Sequence, residues 1–484
     1  MPWRRARGPG RRRPGGRAGP GPVPDRRAVS AAPARIRRLL VANRGEIALR
    51  IQRACRELGI EVCQVYSEAD RDSLPVRLAD QAVCIGPARA GESYLAGERV
   101  VEAALALRAD AVHPGYGFLS ENAAFAALCE RRGLIFVGPP PAAIAAMGDK
   151  ASARAIALAA GVPVTPGSTG VLASAAQARE VAGALGYPVL LKAVAGGGGR
   201  GMRVVASAGE LEPQFDAARR EAQAAFGDGT LYLEKYLSGI RHVEIQILSD
   251  GETVLHLGER DCSSQRRNQK LVEESPSPGL GAALREAMGE AAVRLCRQVG
   301  YRSAGTVECI VEPAAQRFYF MEMNTRVQVE HPVTECVTGI DIVKQQIRIA
   351  AGERLALRQA DVRLHGHAIE CRINAEDPAA GFAPSPGLLA AVHFPGGPGV
   401  RVDSHVQAGS VIGPHYDSLI AKLVCWGADR DEALARARRA LAELRIEGVR
   451  TTAPFLARLL DSAEFRRGEV HTRFVETLLE EAAA

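Results

Sequence analysis

From Glu322 to Glu330 the chain alternates without interruption: Glu322, Asn324, Arg326, Gln328 and Glu330 are set apart by Met323, Thr325, Val327 and Val329. A period of two belongs to an extended strand whose successive side chains point to opposite faces. If the whole stretch is extended, two carboxylates, two amides and a guanidinium share one face. A solvated strand face alternates in the same way, so the distinction rests on residue identity. Carboxylate and amide oxygens suit Mg²⁺, and a guanidinium between them is a planar fork for an oxyanion. Metal ligands beside an anion clamp point to phosphoryl transfer.

A chain of 484 residues has room for two to four domains. Its 47% hydrophobic and 24% charged content is that of an ordinary globular protein. No apolar run reaches about 18 residues, which predicts no membrane span. The ten cysteines are scattered without a CxxC pair, a pattern of reduced thiols in a cytoplasmic or matrix-like compartment rather than of a zinc or iron–sulfur site. The net charge of +6 is unevenly spread. Residues 1–35 carry ten arginines and one acid, a local +9, which leaves −3 for the rest. A mildly acidic body with a basic arm is no nucleic-acid-binding domain. The arm, rich in Arg, Gly and Pro, is predicted to be disordered. It is a true tail, a mitochondrial transit peptide or sequence upstream of the native start; one serine and no apolar stripe weigh against the transit peptide. Only six lysines stand against 55 arginines, so each remaining lysine is a candidate for a position that needs a compact ammonium.

Strand-like 36–42, a helix after Gly45 that stops at Gly59, strand 61–66 and strand 110–113 alternate as in a doubly wound α/β domain. Ser120 is the expected N-cap of a helix ending at Gly133, and prolines 139–141 mark the domain edge. Helices are predicted over 151–160 and 174–185. Strand 187–192 leads into the glycine run 196–199 and strand 202–205 leaves it, so the run is expected at a hairpin tip. Its N–H groups would face a triphosphate, with Lys192 on the entering strand; a flexible linker is the plain alternative. Further strands are expected at 242–248, 253–257, 305–311 and 317–323, with 242–247 half exposed. The last two would place Glu308 opposite Glu322, where paired acids beside Asn324 suit one or two Mg²⁺. Glu234, Lys235, Tyr236 and Leu237 form either an adenine-binding strap or a strand end. Residues 265–270 form either a solvated turn or an anion site. Residues 365–475 open with strand 367–373 and contain a helix over 431–444.

Together these stretches resemble the biotin carboxylase component of biotin-dependent carboxylases, within the ATP-grasp superfamily. The likeness is carried by 113–122, Met147–Lys150, the glycine loop, 259–263, 321–335, 370–377 and 416–420. It implies an α/β domain over 36–148, an ATP-grasp domain over 149–350 with a lid at about 165–235, and a mixed α+β domain over 365–475. It further implies ATP- and Mg²⁺- or Mn²⁺-dependent carboxylation of biotin by bicarbonate through carboxyphosphate. Carried over residue by residue, Lys150, Lys192, Gly198, Gly199, Glu234, Lys235, Tyr236, Leu237, His242, Asn268 and Glu308 face ATP. Glu308, Glu322 and Asn324 hold the metal, two ions being expected. Lys270, Arg326, Gln328 and Val329 bind bicarbonate, Glu330 is the base, and Arg372 and Tyr116 serve biotin. Two departures stand out: Asn268 occupies a position usually His, which predicts weaker ATP binding, and Ala195 opens the glycine run where Gly is common.

No Met-Lys-Met biotin-acceptor motif occurs, so biotin is expected on a separate carrier protein with a carboxyltransferase elsewhere, as in an acetyl-CoA carboxylase. A homodimer is the family's habit. The alternatives are another ATP-grasp carboxylate ligase and a catalytically silent ATP-binding subunit.

Overall fold

The computed structural model describes residues 36–195 and 201–483. The arm and residues 196–200, which include Gly198 and Gly199, lie outside the described residues.

Five parallel strands open the chain: β1 (Arg38–Val41), β2 (Glu61–Ser67), β3 (Gln81–Gly86), β4 (Ala111–His113) and β5 (Ile135–Phe136), in the order β3-β2-β1-β4-β5. The order reverses at β1, where a doubly wound sheet opens a crevice beyond the strand ends. Helix Gly45–Glu57 follows β1 and buries Ile47, Ile51 and Cys55 on one side of the sheet. The next expected helix starts later than its sequence suggests. It spans Ala123–Arg131, and its cap is Asn122, whose side chain accepts from the Phe125 N–H, while Ser120 sits in the preceding turn. Both residues are capping types, and local sequence does not choose between them.

A separate three-stranded sheet is formed by β6 (Val189–Ala193), β7 (Met202–Val205) and β8 (Leu231–Lys235), with β6 in the centre. Val189 pairs with Val205 and Lys192 with Met202, so β6 and β7 are the two arms of a hairpin across the glycine run.

The large sheet has eight strands. It contains β9 (Arg241–Ser249), β10 (Val254–Arg266), β11 (Gln269–Ser275), β12 (Ser303–Glu312), β13 (Arg317–Asn324), β14 (His367–Asn374), β15 (Val400–Ser404) and β16 (Leu419–Gly427). Their order is β13-β12-β9-β10-β11-β14-β16-β15, antiparallel throughout. The expected half-exposed strand 242–247 is therefore buried along its whole length, because β12 and β10 flank it and other elements cover both faces. Polar side chains on β9 have no water to turn to, and Arg260 on β10 meets that need. Its wholly buried guanidinium donates to Glu244 (2.6 Å), Gln246 (2.7 Å), Thr334 (2.9 Å), Thr306 (3.1 Å) and Gln328 (2.8 Å). A buried charge is tolerable only when its donors are satisfied in this way.

β10 and β11 meet in a two-residue turn in which Arg267 and Asn268 have φ of +48° and +64°. Two successive left-handed residues match the right-handed twist of the flanking strands, and Asn adopts that conformation more readily than most residues. No helix among the described residues is long and apolar enough to cross a membrane.

Candidate active site

The alternating segment is extended only as far as Asn324, where β13 ends. Residues 325–330 curl inward to Glu330, the N-cap of helix His331–Thr338, and the period of two does not persist as a strand. Tertiary bonds set this course. The Thr325 N–H donates to Glu121 (2.9 Å), Gln328 is held by Arg260, and Lys422 Nζ donates to the Val329 carbonyl (2.9 Å). The polar side chains still converge, but a folded loop brings them together instead of one strand face.

They converge in a cavity of about 1260 Å³. The described residues predicted for the site all line it: Tyr116, Lys150, Lys192, Glu234, Lys235, Tyr236, Leu237, His242, Asn268, Lys270, Glu308, Glu322, Asn324, Arg326, Gln328, Val329, Glu330 and Arg372.

At one end, Lys192 Nζ lies 3.0 Å from Glu234 Oε2, and Arg154 donates to Glu234 Oε1 (3.2 Å). Burial alone would lower the Lys192 ammonium, but Glu234 outweighs it and raises it. Lys235 turns away from this pair and donates to the carbonyls of Gly186 (2.9 Å) and Tyr187 (3.2 Å). It anchors the segment that its neighbours Tyr236 and Leu237 continue. Residues 234–235 end β8 and 236–237 leave it, so a strand end and a cavity-lining strap coexist.

In the middle, Glu308 on β12 faces Glu322 on β13, cross-strand partners as predicted. Asn324 Nδ2 and Gln328 Nε2 both donate to Glu308 Oε1 (2.7 Å each), and His242 Nε2 lies 2.9 Å from Glu308 Oε2. Burial pushes the Glu322 carboxyl up, and the Glu308 charge adds to that push. Glu308 moves the other way: burial would raise it, but Lys270 and His242 hold it well below the usual carboxylate range. Two facing acids are a hard-oxygen pair that fits a divalent cation, and Asn324, which here turns its NH2 to Glu308 and its oxygen to Arg326, would add its oxygen by an amide flip. A second acidic group, His242, Glu244 and Glu308, has its ligand atoms within 4.8 Å of one another.

At the inner end, Lys270 Nζ reaches Glu244 (2.6 Å), Glu330 (2.6 Å) and Glu308 (3.2 Å). Burial works against this ammonium, yet the carboxylates of Glu244, Glu308 and Glu330 keep it charged well above its ordinary value. Glu330 Oε2 accepts from Arg372 Nη2 (3.0 Å). Burial would raise Glu330, but Lys270, Arg372 and Arg260 hold it far below the usual carboxylate range. Arg326 is fixed from two sides, with Nε on Glu121 (2.9 Å) and Nη2 on the Asn324 oxygen (2.8 Å). Tyr116 follows a turn at Gly115 (φ +63°), where a Cβ would come 3.0 Å from Asn43 Nδ2. That same amide binds the carbonyls of Pro114 and Tyr116, so glycine is needed for the turn that presents the tyrosine. The Tyr116 hydroxyl donates to Glu46.

Over 444 residues the chain is 55% identical to biotin carboxylase 1 of Bacillus subtilis (strain 168), covering 91% of this chain and 98% of that protein. It belongs to the biotin carboxylase family. Three family descriptions match in succession: the biotin carboxylase N-terminal domain at residues 35–144, the carbamoyl-phosphate synthase L chain ATP binding domain at 149–358, and the biotin carboxylase C-terminal domain at 370–477. Among solved structures, the biotin carboxylase domain dimer of the Hydrogenobacter thermophilus 2-oxoglutarate carboxylase, in complex with MgADP, ADP and bicarbonate, superposes on this biotin carboxylase chain with a TM-score of 0.86. It is 50% identical and covers 91% of this chain and 97% of that one. The biotin carboxylase component of a pyruvate carboxylase superposes with a TM-score of 0.82, at 50% identity over 92% of this chain and 99% of that one.

Sequence reasoning missed several residues that shape this biotin carboxylase cleft. Glu121 lies in a stretch that carried the resemblance, but nothing local says that it pairs with a residue 205 positions away. Glu244 looked like a solvated strand residue, Arg260 lies in the 259–263 stretch that carried the resemblance but was given no role there, and Glu273 and Lys422 gave no period or motif of their own. For Lys422 a signal existed: it is one of only six lysines, and it is completely buried.

Proposed function

We propose that this chain carboxylates biotin on a carrier protein, using bicarbonate and ATP with a divalent cation, as the first half-reaction of a biotin-dependent carboxylase. The observation that carries the reading is the single cleft in which Glu330, bonded to both Lys270 and Arg372, opens onto Arg326 and the Glu308–Glu322 acid pair. In this reading residues 36–148, 149–350 and 365–475 form the three domains, and about 165–235 cover the nucleotide.

Lys150, Lys192 and His242 bind the nucleotide phosphates, and residues 234–237 line its base. Glu308, Glu322 and Asn324 would hold the metal, which would supply neutralisation of phosphate charge and polarisation of the phosphorus centre. Bicarbonate lies between Arg326, Lys270, Gln328 and the Val329 backbone. Glu330, kept ionised by Lys270 and Arg372, removes its proton. The freed oxygen attacks the terminal phosphorus, the bond to the bridging oxygen breaks, and ADP leaves carboxyphosphate behind. Biotin then approaches by way of Tyr116. Its N1 passes a proton to the departing phosphate, Arg372 stabilises the charge that develops on the ureido oxygen, and N1 takes the carboxyl group as the carboxyl–phosphate bond breaks.

The carrier and the carboxyltransferase are separate components, and a homodimer is the expected assembly. The similar structures come from carboxylases named for different acceptors, 2-oxoglutarate and pyruvate. The acceptor, whether acetyl-CoA in fatty acid synthesis or another acid, is therefore chosen by the carboxyltransferase. Cytoplasmic placement suits the reduced, mostly buried thiols. The test is ATP cleavage by the purified chain: it should require bicarbonate and free biotin together. Turnover with a different acid, or none despite ATP binding, would overturn the reading.

A further inference from the structure

Two buried acids stand behind the chemistry described above. Glu273 on β11 and Glu370 on β14 are Cα partners across an antiparallel pair, so both side chains leave the same face of the sheet. Each is wholly inaccessible to solvent. Glu273 Oε1 accepts from Arg372 Nε at 2.6 Å, and the same guanidinium reaches Glu330. Glu273 Oε2 and both oxygens of Glu370 accept no hydrogen bond from the described residues.

Neighbouring carboxylates shut away from water do not both stay ionised. A buried acceptor left without a donor is destabilising, and more so if it is charged. One proton between the two acids answers both difficulties, since a neutral Glu370 can donate to an ionised Glu273. We propose that Glu273 and Glu370 hold a single proton between them, and that ionised Glu273 is the positioning residue that keeps Arg372 against Glu330. The inference rests on the biotin carboxylation reading of Arg372 and Glu330.

The surrounding groups agree with this division. Arg372 on β14 faces Glu273 directly, with Lys270 and Glu330 beyond it, while Lys422 on β16 is committed to Glu46 and the Val329 carbonyl. The nearby thiols Cys262, Cys336 and Cys371 are all kept neutral by burial. Burial pushes the Glu273 carboxyl up to about 7 against the pull of Arg372, and pushes Glu370 further above the carboxylate range against the pull of Lys422. A second proton therefore enters the pair near neutrality, and when it does Arg372 loses its anchor.

Two measurements test this on the full chain. Infrared spectra of the resting protein near neutral pH should contain a protonated-carboxyl carbonyl band that Glu370→Gln removes. This readout needs no turnover, so it is decided even if the substrate reading fails. In biotin-dependent ATP cleavage, the wild-type kcat should fall on the acid side of neutrality. Glu273→Gln should lower kcat about 10- to 100-fold, the range for outer hydrogen-bond partners of site residues, and abolish that acid limb. Glu273→Asp should restore the limb. A band absent from the wild type or unchanged in Glu370→Gln, or an acid limb absent from the wild type or surviving in Glu273→Gln, would overturn the proposal. Failure of the wild type to cleave ATP with bicarbonate and biotin would instead sink the substrate reading.

Discussion

Lys422 Nζ lies 2.9 Å from the Val329 carbonyl oxygen and 3.0 Å from Glu46 Oε1, so one buried ammonium joins the 325–330 loop to the acid that receives the Tyr116 hydroxyl. Glu46 is itself buried, and burial pushes its carboxyl up while Lys422 draws it down. Lys422→Met leaves that acid without its cation. The expected cost is about 3–5 kcal/mol of unfolding free energy, the range for breaking a buried ion pair from one side. Adding Glu46→Gln should recover part of it, because a neutral amide tolerates burial better. Denaturant unfolding of the single and double variants measures both; a loss below about 1 kcal/mol in the single variant would contradict the buried pairing.

Glu121 sits at the opposite side of the loop and fixes both the Thr325 N–H and the Arg326 guanidinium. Its side chain is 41% exposed, so solvent screens part of the interaction. Glu121→Ala should raise the KM for bicarbonate about tenfold, equivalent to about 1.4 kcal/mol. The KM for ATP should stay within about twofold, since Glu121 touches neither the Lys192 nor the 234–237 region. Equal effects on both substrates would show that Glu121 holds the fold instead of the guanidinium.

The sequence and the structure part company at specific places. The hairpin that carries Glu308 and Glu322 was legible because two strand-like runs flank a short turn, while the bulge between Glu308 and Cys309 that brings the two acids opposite each other left no local signal. The strand–helix alternation before residue 140 was legible for a similar reason, as each element repeats its own local period. Residues 325–330 were not, since their course depends on Glu121, Arg260 and Lys422, which lie far away in the chain. The burial of β9 was hidden too: an alternating strand looks half exposed until strands on both sides and layers on both faces are known. Glu273 and Glu370 belong to the same class, because only the pairing of β11 with β14 places two acids opposite each other.

Asn268 lies at φ +64° in the turn between β10 and β11 and lines the cavity. Histidine is also among the residues enriched in that left-handed region, so Asn268→His should be accommodated without unfolding the turn. An imidazole able to carry positive charge would then replace the neutral amide at the cavity wall. The expected outcome is a lower KM for ATP, by about threefold to tenfold, equivalent to about 0.7–1.4 kcal/mol of added binding. Steady-state kinetics with saturating bicarbonate and biotin would measure it, and an unchanged KM would mean that asparagine already supplies what this position contributes.

Three histidines, two of them buried and one half-buried, make acid stability calculable in sign. His113 is wholly buried, its Nδ1 accepts from the Gly115 N–H at 3.0 Å, and burial together with the charge of Arg50 lowers its pKa to about 3. His405 is lowered to about 3, by burial first and then by Arg44, and His331 is lowered by burial and the charges of Lys422, Arg50 and Arg401. An unfolded histidine titrates near about 6.5. Between about 6.5 and about 3 the unfolded chain binds a proton at His113 that the native protein does not, so stability falls as pH falls. Above that window the contribution is fully present. Each such group adds a slope of about 1.4 kcal/mol per pH unit inside the window. His113→Gln removes one of them, and its unfolding free energy should decline with acid less steeply than the wild type by that amount. Urea unfolding at stepped pH compares the two slopes; identical slopes would mean that His113 takes up its proton without leaving the fold.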